Sequence, residues 1–373
     1  MLMPEPLKKG DRIAVICLSS GVIGEKFCSH EIELGLKKLR EFGLEPFFTR
    51  NALKGCSYIL NHPEARAADL KNAFLDDSVK GIITSIGGFE TFRTLPYLME
   101  DEEFVNAVRK HPKFFLGFSD TTNNHFMLHR LGLSTFYGQS FMCDLAELSG
   151  DMLPYSKTWF ENCFASFHGR KITPSDVWYE ERKDFSADAV GTLPVSHNEE
   201  RGYELLQGNP VFEGKLLGGC IDSMGDMLVA GNLEMFKGMI SAELQNCPQL
   251  EYDLKNQTEI TRKYNIFPSA EEWKGKILFA ETSEVTPSPE MLRIYLEALK
   301  KEGVFDNING IIVGKPLNEI YYEEYKAVWC EVVNNSQLPI LYNVNFGHSA
   351  PRAILPYDAA VRVDADKQEI LFL

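Results

Sequence analysis

Residues 114–122 read FFLGFSDTT, a short apolar run that gives way to Ser119, Asp120 and two threonines. A buried strand of a parallel sheet is typically a continuous apolar run of this kind, and small polar residues after it often begin a helix. The stretch therefore predicts a strand at 113–118, a turn at Ser119 and a helix over about residues 121–131. Such a strand, turn and helix is the repeating unit of an α/β fold.

The same unit recurs along most of the chain. In the first half, strands are predicted at 12–18, 46–49 and 81–86, and helices at 30–42, from Pro63 onward and at 91–99. After residue 212, strands are predicted at 215–217, 276–280, 310–313 and 340–342, helices at 289–301 and 322–333, and two β segments within 359–373. The pattern predicts an α/β protein with two domains. An N-terminal parallel-sheet domain spans 1–166, a linker or lid spans 167–212, and a C-terminal α/β domain ending in β segments spans 213–373.

Composition excludes several classes of function. Acidic residues outnumber basic ones, 53 to 38, and the net charge of -15 disfavours a nucleic-acid polymer as partner. No apolar run approaches the ~20 residues of a membrane span, and the N-terminus has no signal-peptide core. The eight cysteines form no CxxC pair, which indicates buried thiols in a reducing compartment. A cytoplasmic protein without disulfides or a zinc site is expected.

Four predicted strands end in residues that could carry chemistry. Ser119 follows the strand at 113–118, the pair Gly87 and Gly88 follows 81–86, Glu281 follows 276–280, and His348 lies beyond 340–342. Active sites of open α/β sheets lie at these carboxyl ends. A serine nucleophile needs a base, a group that orients the base, and amide donors for the oxyanion. These residues would supply each part.

Each candidate also has an ordinary interpretation. Ser119 could cap the following helix, and Glu281 could begin a helix or bind Arg293. The glycine pair could form a tight turn. His348 could be a surface or structural histidine of a loop. His125 and His129 stand four apart on a predicted helix and could bind a metal, although HFMLH lacks the glutamate of a metalloprotease. The stretch SSGVIG at 19–24 lacks the spaced glycines of a dinucleotide site, so no cofactor is expected.

Taken together, these stretches resemble the serine peptidase family of LD-carboxypeptidases and microcin C self-immunity proteins. The resemblance runs nearly end to end and is carried by PEARAADL (63–70), SIGGFETFRTLPYL (85–98), FLGFSDTT (115–122), STFYGQS (134–140), KLLGGCIDSM (215–224), ILFAETSE (277–284) and FGHSAPRAILP (346–356). Three positions depart from the family pattern: Phe118 replaces the usual tyrosine, Gln139 a proline and Cys220 an asparagine.

The resemblance implies a Ser-His-Glu triad that works without metal or cofactor. Ser119 would be the nucleophile, His348 the general base and Glu281 the group that orients its imidazole, while the amides of Gly88 and Asp120 would form the oxyanion hole. A homodimer is also implied. The Ser85-Ile86 lead-in to the glycine pair is closer to the microcin branch than to many muropeptide enzymes.

Two classes of function follow from these observations. The first is a serine hydrolase that cleaves an amide at the end of a small substrate, either a muropeptide or a peptidyl or aminoacyl nucleotide. Gly87, Phe89, Trp178 and Cys220 are its expected substrate contacts, and Trp178 could stack on a planar ligand such as adenine or plug a space between domains. The second is a two-domain binding protein that closes on a small ligand without chemistry. A metal-dependent hydrolase that uses His125 and His129 is a third hypothesis.

Overall fold

The computed structural model describes residues 1–229 and 241–373, which form two compact units. Unit 1 comprises Met1–Met152, Asp184–Leu193 and Val229–Phe267, and unit 2 comprises Leu153–Lys183, Pro194–Leu228 and Pro268–Leu373. Each unit is assembled from segments that are distant in sequence. The segment 167–212, expected to be a separate linker or lid, is therefore shared between the units, and its ends do not coincide with their boundaries.

Unit 1 contains a parallel sheet, as the sequence predicts. Its strands are β1 (Arg12–Ile16), β2 (Glu45–Phe48), β3 (Val79–Thr84), β4 (Phe114–Gly117) and β5 (Phe136–Tyr137). They lie in the order β5-β4-β3-β1-β2, and every pair among them is parallel. β4 is completely buried, which explains why it is a continuous apolar run, and β3 is buried except at Lys80.

Helices follow most strands of unit 1. They are α1 (Ser29–Glu41), α2 (Cys56–Asn61), α3 (Pro63–Leu75), α4 (Leu95–Met99), α5 (Glu102–Lys110) and α6 (Thr122–Arg130), and, later in the chain, α9 (Ser241–Asn246), α10 (Pro248–Lys255) and α11 (Gln257–Lys263). α3 begins at Pro63 as predicted, since proline fits the first helical turn. Residues 91–99, expected to form one helix, begin with a 3₁₀ turn at Thr91–Thr94 before α4.

Unit 2 contains a mixed sheet of eight strands. They are β6 (Lys171–Ile172), β9 (Glu204–Gln207), β10 (Val211–Cys220), β11 (Lys276–Glu281), β12 (Gly310–Gly314), β13 (Ile340–Val344), β15 (Ala360–Asp364) and β16 (Glu369–Phe372). Their order is β6-β16-β15-β10-β11-β12-β13-β9. β10 to β13 are parallel to one another, and the flanking pairs are antiparallel.

The remaining elements of unit 2 are short strands and helices. β7 (Val177–Tyr179) and β8 (Ser196–Asn198) form an antiparallel pair, and β14 covers Leu355–Pro356. The helices are α7 (Pro154–Asn162), α8 (Ile221–Leu228), α12 (Pro289–Lys301), α13 (Val304–Asn307) and α14 (Tyr322–Val333). The hydroxyl of Ser288 caps α12 by accepting a hydrogen bond from the amide of Met291.

Strand order determines which predicted site residues can meet within a unit. In unit 1, β3 and β4 are neighbours, so the loop with Gly87 and Gly88 and the turn at Ser119 leave the same edge of the sheet. In unit 2, only β12 lies between β11, which ends at Glu281, and β13, which leads to His348. Each sheet thus gathers polar residues at its carboxyl edge.

The part of the chain that the structure describes, residues 1–229 and 241–373, includes no helix with the length and apolar character needed to cross a membrane.

Candidate active site

Ser119 lies two residues after the end of β4, in a strained backbone conformation. It has a φ of 65° and begins a 3₁₀ turn, Ser119–Thr121, that leads into α6. A non-glycine residue at positive φ costs energy, and such residues cluster at functional sites. The amide of Ser119 donates to the hydroxyl of Tyr137 at 3.2 Å, which fixes the turn. The N-cap of α6 is Thr121, so Ser119 does not have the capping position that the ordinary interpretation gave it.

The glycine-pair loop lies directly against Ser119. A Cβ atom added to Gly87 would be 2.6 Å from the Cβ and 2.7 Å from the Oγ of Ser119. Gly88 has a φ of 148°, and a Cβ there would be 2.3 Å from the Oγ of Ser19. Only glycine permits this approach. The loop predicted to supply oxyanion donors is therefore next to the predicted nucleophile within unit 1.

Asp120 ties the turn to that loop through a buried carboxylate. It accepts hydrogen bonds from the Oγ of Ser19 at 2.8 Å, the amide of Thr91 at 2.9 Å and the Nδ2 of Asn123 at 3.0 Å. Burial raises the pKa of Asp120 to about 6, although the hydrogen bonds from Thr91 and Ser19 act in the opposite direction. The side chain of Asp120 is thus structural, and its amide remains the proposed oxyanion donor.

His125 serves the same turn and is not available to a metal ion. Its Nδ1 contacts the Oγ1 of Thr135 at 2.7 Å, and its Nε2 lies 2.9 Å from the carbonyl oxygen of Gly117. Burial lowers the pKa of His125 to about 3, so the ring is neutral and donates from Nε2 to the carbonyl. Both nitrogens are engaged, which argues against the metal-dependent alternative.

In unit 2, the structure brings Glu281 and His348 together. Nδ1 of His348 lies 2.7 Å from Oε2 of Glu281, and the backbone amide of His348 donates to the same oxygen at 3.0 Å. Glu281 is the last residue of β11 and is 1% exposed. The alternative partner Arg293 instead forms an ion pair with Glu331. The structure thus brings together two of the residues that end predicted strands, with the carboxylate against Nδ1 of the imidazole.

Two glycines create the space for this pair. Gly347 has a φ of 86°, and a Cβ there would lie 2.3 to 2.5 Å from the Cγ, Cδ and Oε2 atoms of Glu281. A Cβ added to Gly314, at the end of β12, would be 2.7 Å from the Cβ of Glu281. The backbone wraps around the carboxylate from two sides. This explains why a charged residue is tolerated at the end of a buried strand.

A second carboxylate, missed by the sequence analysis, reaches the other nitrogen of His348. Oε2 of Glu284 lies 2.9 Å from Nε2, and its side chain is 46% exposed. Burial lowers the pKa of His348, but the charges of Glu281 and Glu284 outweigh it and raise the value to about 10. The sequence feature that could have indicated this contact is a second acid three residues after Glu281, in the stretch ETSE.

Cys220 lies beside this pair. The Sγ of Cys220, a carboxylate oxygen of Glu281 and a ring nitrogen of His348 lie within 4.8 Å of one another. The carboxylate of Asp222 accepts from the amide and the hydroxyl of Ser283 at 3.0 and 2.9 Å, and it lies 3.6 Å from the Sγ of Cys220. Burial raises the pKa of Cys220 well above its ordinary value, which keeps the thiol neutral and a poor nucleophile.

The other two expected substrate contacts differ in exposure. Phe89 is half-buried in the glycine-pair loop of unit 1. Trp178 is 8% exposed in unit 2, where its ring stacks on His197 at a centroid distance of 4.3 Å. The Nζ of Lys315 is 4.9 Å from the centre of the indole. One aromatic face of Trp178 is therefore already occupied by a side chain of the same unit.

Comparison with known proteins identifies the fold and the family. Residues 13–138 match the model of the LD-carboxypeptidase N-terminal domain, and residues 213–363 match that of the C-terminal domain. A probable murein peptide carboxypeptidase of Bacillus subtilis is 24% identical over 375 residues, which cover 99% of this chain and 93% of the relative.

Solved structures agree with this assignment. The MccF-like protein of Streptococcus pneumoniae, crystallised with AMP, is 45% identical with a TM-score of 0.88 over 98% of this chain and 99% of that chain. The microcin C7 self-immunity protein MccF, solved with aspartyl sulfamoyl adenosine, is 20% identical with a TM-score of 0.78 over 100% of this chain and 98% of that one, and thus shares the fold. With its two domain models matched over most of its length, the chain belongs to the LD-carboxypeptidase family of peptidases.

Proposed function

We propose that this protein is a serine hydrolase that cleaves an amide bond at the end of a small peptide-like substrate. Ser119 is the nucleophile, His348 the general base, and Glu281 the residue that orients the imidazole. The amides of Gly88 and Asp120 form the oxyanion hole. Gly87, Phe89, Trp178 and Cys220 contact the substrate, and no metal or cofactor takes part.

One observation carries this proposal: Glu281 accepts from both Nδ1 and the backbone amide of His348, at a place where positions 314 and 347 have room only for glycine. This arrangement fixes the ring and its tautomer, which is what a base acting on a hydroxyl requires. The strained φ of Ser119 and the close approach of Gly87 support the nucleophile assignment. Neither feature is needed for simple ligand binding.

The proposed reaction proceeds through an acyl-enzyme. Nε2 of His348 takes the proton of the Ser119 hydroxyl while the oxygen attacks the substrate carbonyl, and the two amides stabilise the resulting oxyanion. The imidazolium then gives its proton to the leaving amine. Water, deprotonated by the same nitrogen, hydrolyses the ester and regenerates Ser119. Glu281 stays in contact with Nδ1 and stabilises the imidazolium.

Two substrate classes are supported by the relatives. The Bacillus relative is named a murein peptide carboxypeptidase, which favours a muropeptide cut before a terminal D-alanine. The structures solved with AMP and with aspartyl sulfamoyl adenosine favour an aminoacyl or peptidyl nucleotide. Stacking of adenine on Trp178 would require displacement of His197 or use of the opposite face of the indole.

The test is turnover of both substrate classes by the purified protein, with the products followed by mass spectrometry. We expect release of D-alanine from a muropeptide-type tetrapeptide or release of sulfamoyl adenosine from its aspartyl conjugate. Ser119→Ala should reduce kcat by about 10³-fold or more. Its Tm should not decrease, because alanine fits the positive φ at this position as well as serine does.

The alternative, a binding protein without catalytic activity, predicts that neither compound is cleaved. It would be supported if neither compound turned over, if both still bound, and if Ser119→Ala changed nothing. Labelling of the wild type, but not of Ser119→Ala, by a fluorophosphonate probe would count against it.

We also propose a homodimer located in the cytoplasm. The dimer rests on the family resemblance, and light scattering of the purified protein tests it. The location is supported by the eight cysteines, all in the described part of the chain, which form no disulfide there. Cell fractionation with an antibody to the native protein tests it.

A further inference from the structure

Both imidazole nitrogens of His348 contact a carboxylate. Nδ1 lies 2.7 Å from Glu281 and Nε2 lies 2.9 Å from Glu284. A ring held in this way is most stable as an imidazolium, in which both nitrogens are donors. In that state Nε2 has no lone pair with which to accept the proton of a hydroxyl. The arrangement is therefore a resting state of the proposed base, and one of the two contacts has to break.

The two contacts differ in how easily they can break. The Glu281 side chain has no exposed surface, lies at the end of β11, and also accepts from the backbone amide of His348. Its departure would leave a buried amide without a partner, which is costly. Glu284 lies between β11 and α12, and its side chain is 46% exposed. Its carboxylate can turn into water, where its charge stays solvated.

We propose that Glu284 is a positioning residue that holds His348 as an ion-paired imidazolium and must leave Nε2 before His348 can act as a base. This inference rests on the proposed function, because it concerns the same imidazole. It assigns Glu284 a role in setting the pH range of the reaction. Glu281, by contrast, stays in place throughout.

The charges around His348 couple the departure of Glu284 to loss of the proton. Besides Glu281 and Glu284, the charged and titratable groups of the described residues that act on this region include Glu181, Asp222, Cys220 and Arg352. The pKa of Glu181 is raised, first by desolvation and then by the charge of Glu284, so these two carboxylates repel each other. The thiol of Cys220 is neutral, and an Nη of Arg352 donates to the carbonyl oxygen of His348 at 2.9 Å. Once the imidazolium charge is gone, the attraction that held Glu284 next to Glu181 is lost.

The first test is the pH dependence of kcat/KM for Glu284→Gln, with Glu181→Gln as the matched control. The substrate is the muropeptide-type tetrapeptide or aspartyl sulfamoyl adenosine, whichever the wild type turns over. The acid limb of kcat/KM reports the base in the free enzyme, which in the wild type has a pKa of about 10. Removing a contacting carboxylate lowers such a pKa by ~1–3 units. In Glu284→Gln, the acid limb of kcat/KM should therefore move to lower pH by ~1–3 units. As a result, kcat/KM at pH 7 should rise about tenfold or more.

The second test measures the imidazole without turnover. Long-range ¹H–¹⁵N NMR of the full-length ¹⁵N-labelled protein gives the pKa of His348, whose signals are assigned by their loss in His348→Gln. Glu284→Gln should lower that pKa by more than Glu181→Gln, because Glu181 makes no hydrogen bond to the ring in the structure. If neither substrate is turned over, the proposed function fails, yet this measurement still decides the role of Glu284.

Two results would overturn the inference. One is an unchanged His348 pKa in Glu284→Gln and in Glu284→Ala. The other is a lowered pKa with an acid limb of kcat/KM that does not move. Thermal unfolding would show whether either variant has a lower Tm. The NMR titration, carried out below the unfolding temperature, would still give the pKa of His348.

Discussion

At the scale of single residues, the carboxylate of Glu281 is the centre of the candidate site in unit 2. It is buried, it accepts two hydrogen bonds from His348, and glycines at 314 and 347 make room for it. A buried carboxylate is stable only when its oxygens are paired. The glycines are therefore as much a part of the site as the acid itself, although neither has a side chain to act.

Gly347→Ala is expected to impair the site much more than a matched glycine substitution elsewhere. The new methyl would lie 2.3 to 2.5 Å from the Glu281 side chain, in addition to the strain of a φ of 86°. Displacing Glu281 would misalign the proposed base, and an error of about 1 Å can reduce activity about 100-fold. Steady-state kinetics on the cleaved substrate and Tm measure the effect.

Gly132→Ala is the control for that substitution. Gly132 has a φ of 98°, but a Cβ there meets no atom within 4 Å. It should cost only the backbone strain, roughly 1 kcal/mol, with kcat/KM unchanged. Equal loss of activity in the two variants would show that strain, and not contact with Glu281, is responsible.

The residues of the site were predictable from the sequence to the extent that they end strands. Glu281 and His348 were found because an acid and a glycine-flanked histidine follow apolar runs, and the structure joins them. Glu284 was missed because nothing local shows which side chains of a loop will turn back onto the histidine. The stacking of Trp178 on His197 was missed for a similar reason, since nineteen positions separate two residues that meet only through the pairing of β7 with β8.

At the scale of elements, the sequence predicts long apolar strands and periodic helices well. The helices at 289–301 and 322–333 have the expected bounds, since their apolar stripes are regular. β10 extends over Val211–Cys220, far beyond the predicted 215–217, because its glycines obscure the strand pattern. β6 to β9 lie in the stretch expected to be irregular. Strands of two to four residues are too short to show alternation.

One charged group in α1 should make stability depend on pH. Glu31 is 4% exposed, and burial alone raises its pKa to about 7. A raised carboxyl pKa means that the folded state binds the extra proton, so stability falls as pH rises from the unfolded pKa through the folded one. Between about pH 4.5 and 7, this group should lower the free energy of unfolding by up to roughly 3 kcal/mol.

Glu31→Gln is the variant that tests this. Urea unfolding at pH 5 and pH 8 should show a smaller loss of stability in the variant than in the wild type. Glu33→Gln, an exposed position on the same helix, should behave like the wild type. Identical pH dependence in all three proteins would exclude Glu31 as the source.

At the scale of the whole molecule, the two compact units alternate along the chain. Composition and the alternation of predicted strands and helices suggested continuous domains, whereas each unit is built from three separate stretches of chain. The segment Asp184–Leu193 belongs to unit 1, for instance, and the amide of Gly191 there donates to the carbonyl of Leu148 at 2.7 Å. Such long-range pairings are set by tertiary contacts and leave no local pattern.

The strand order of unit 2 has a consequence for any attempt to produce its sheet from the C-terminal segment alone. The outermost strands are β6 and β9, and both precede residue 211 in the chain. A fragment of residues 213–373 would lose them, leaving β13 and β16 with unpaired backbone groups along their outer sides. Bare edges of this kind recruit further strands. We expect the fragment to self-associate, and a fragment of residues 153–373 to do so less, as measured by light scattering at equal concentration.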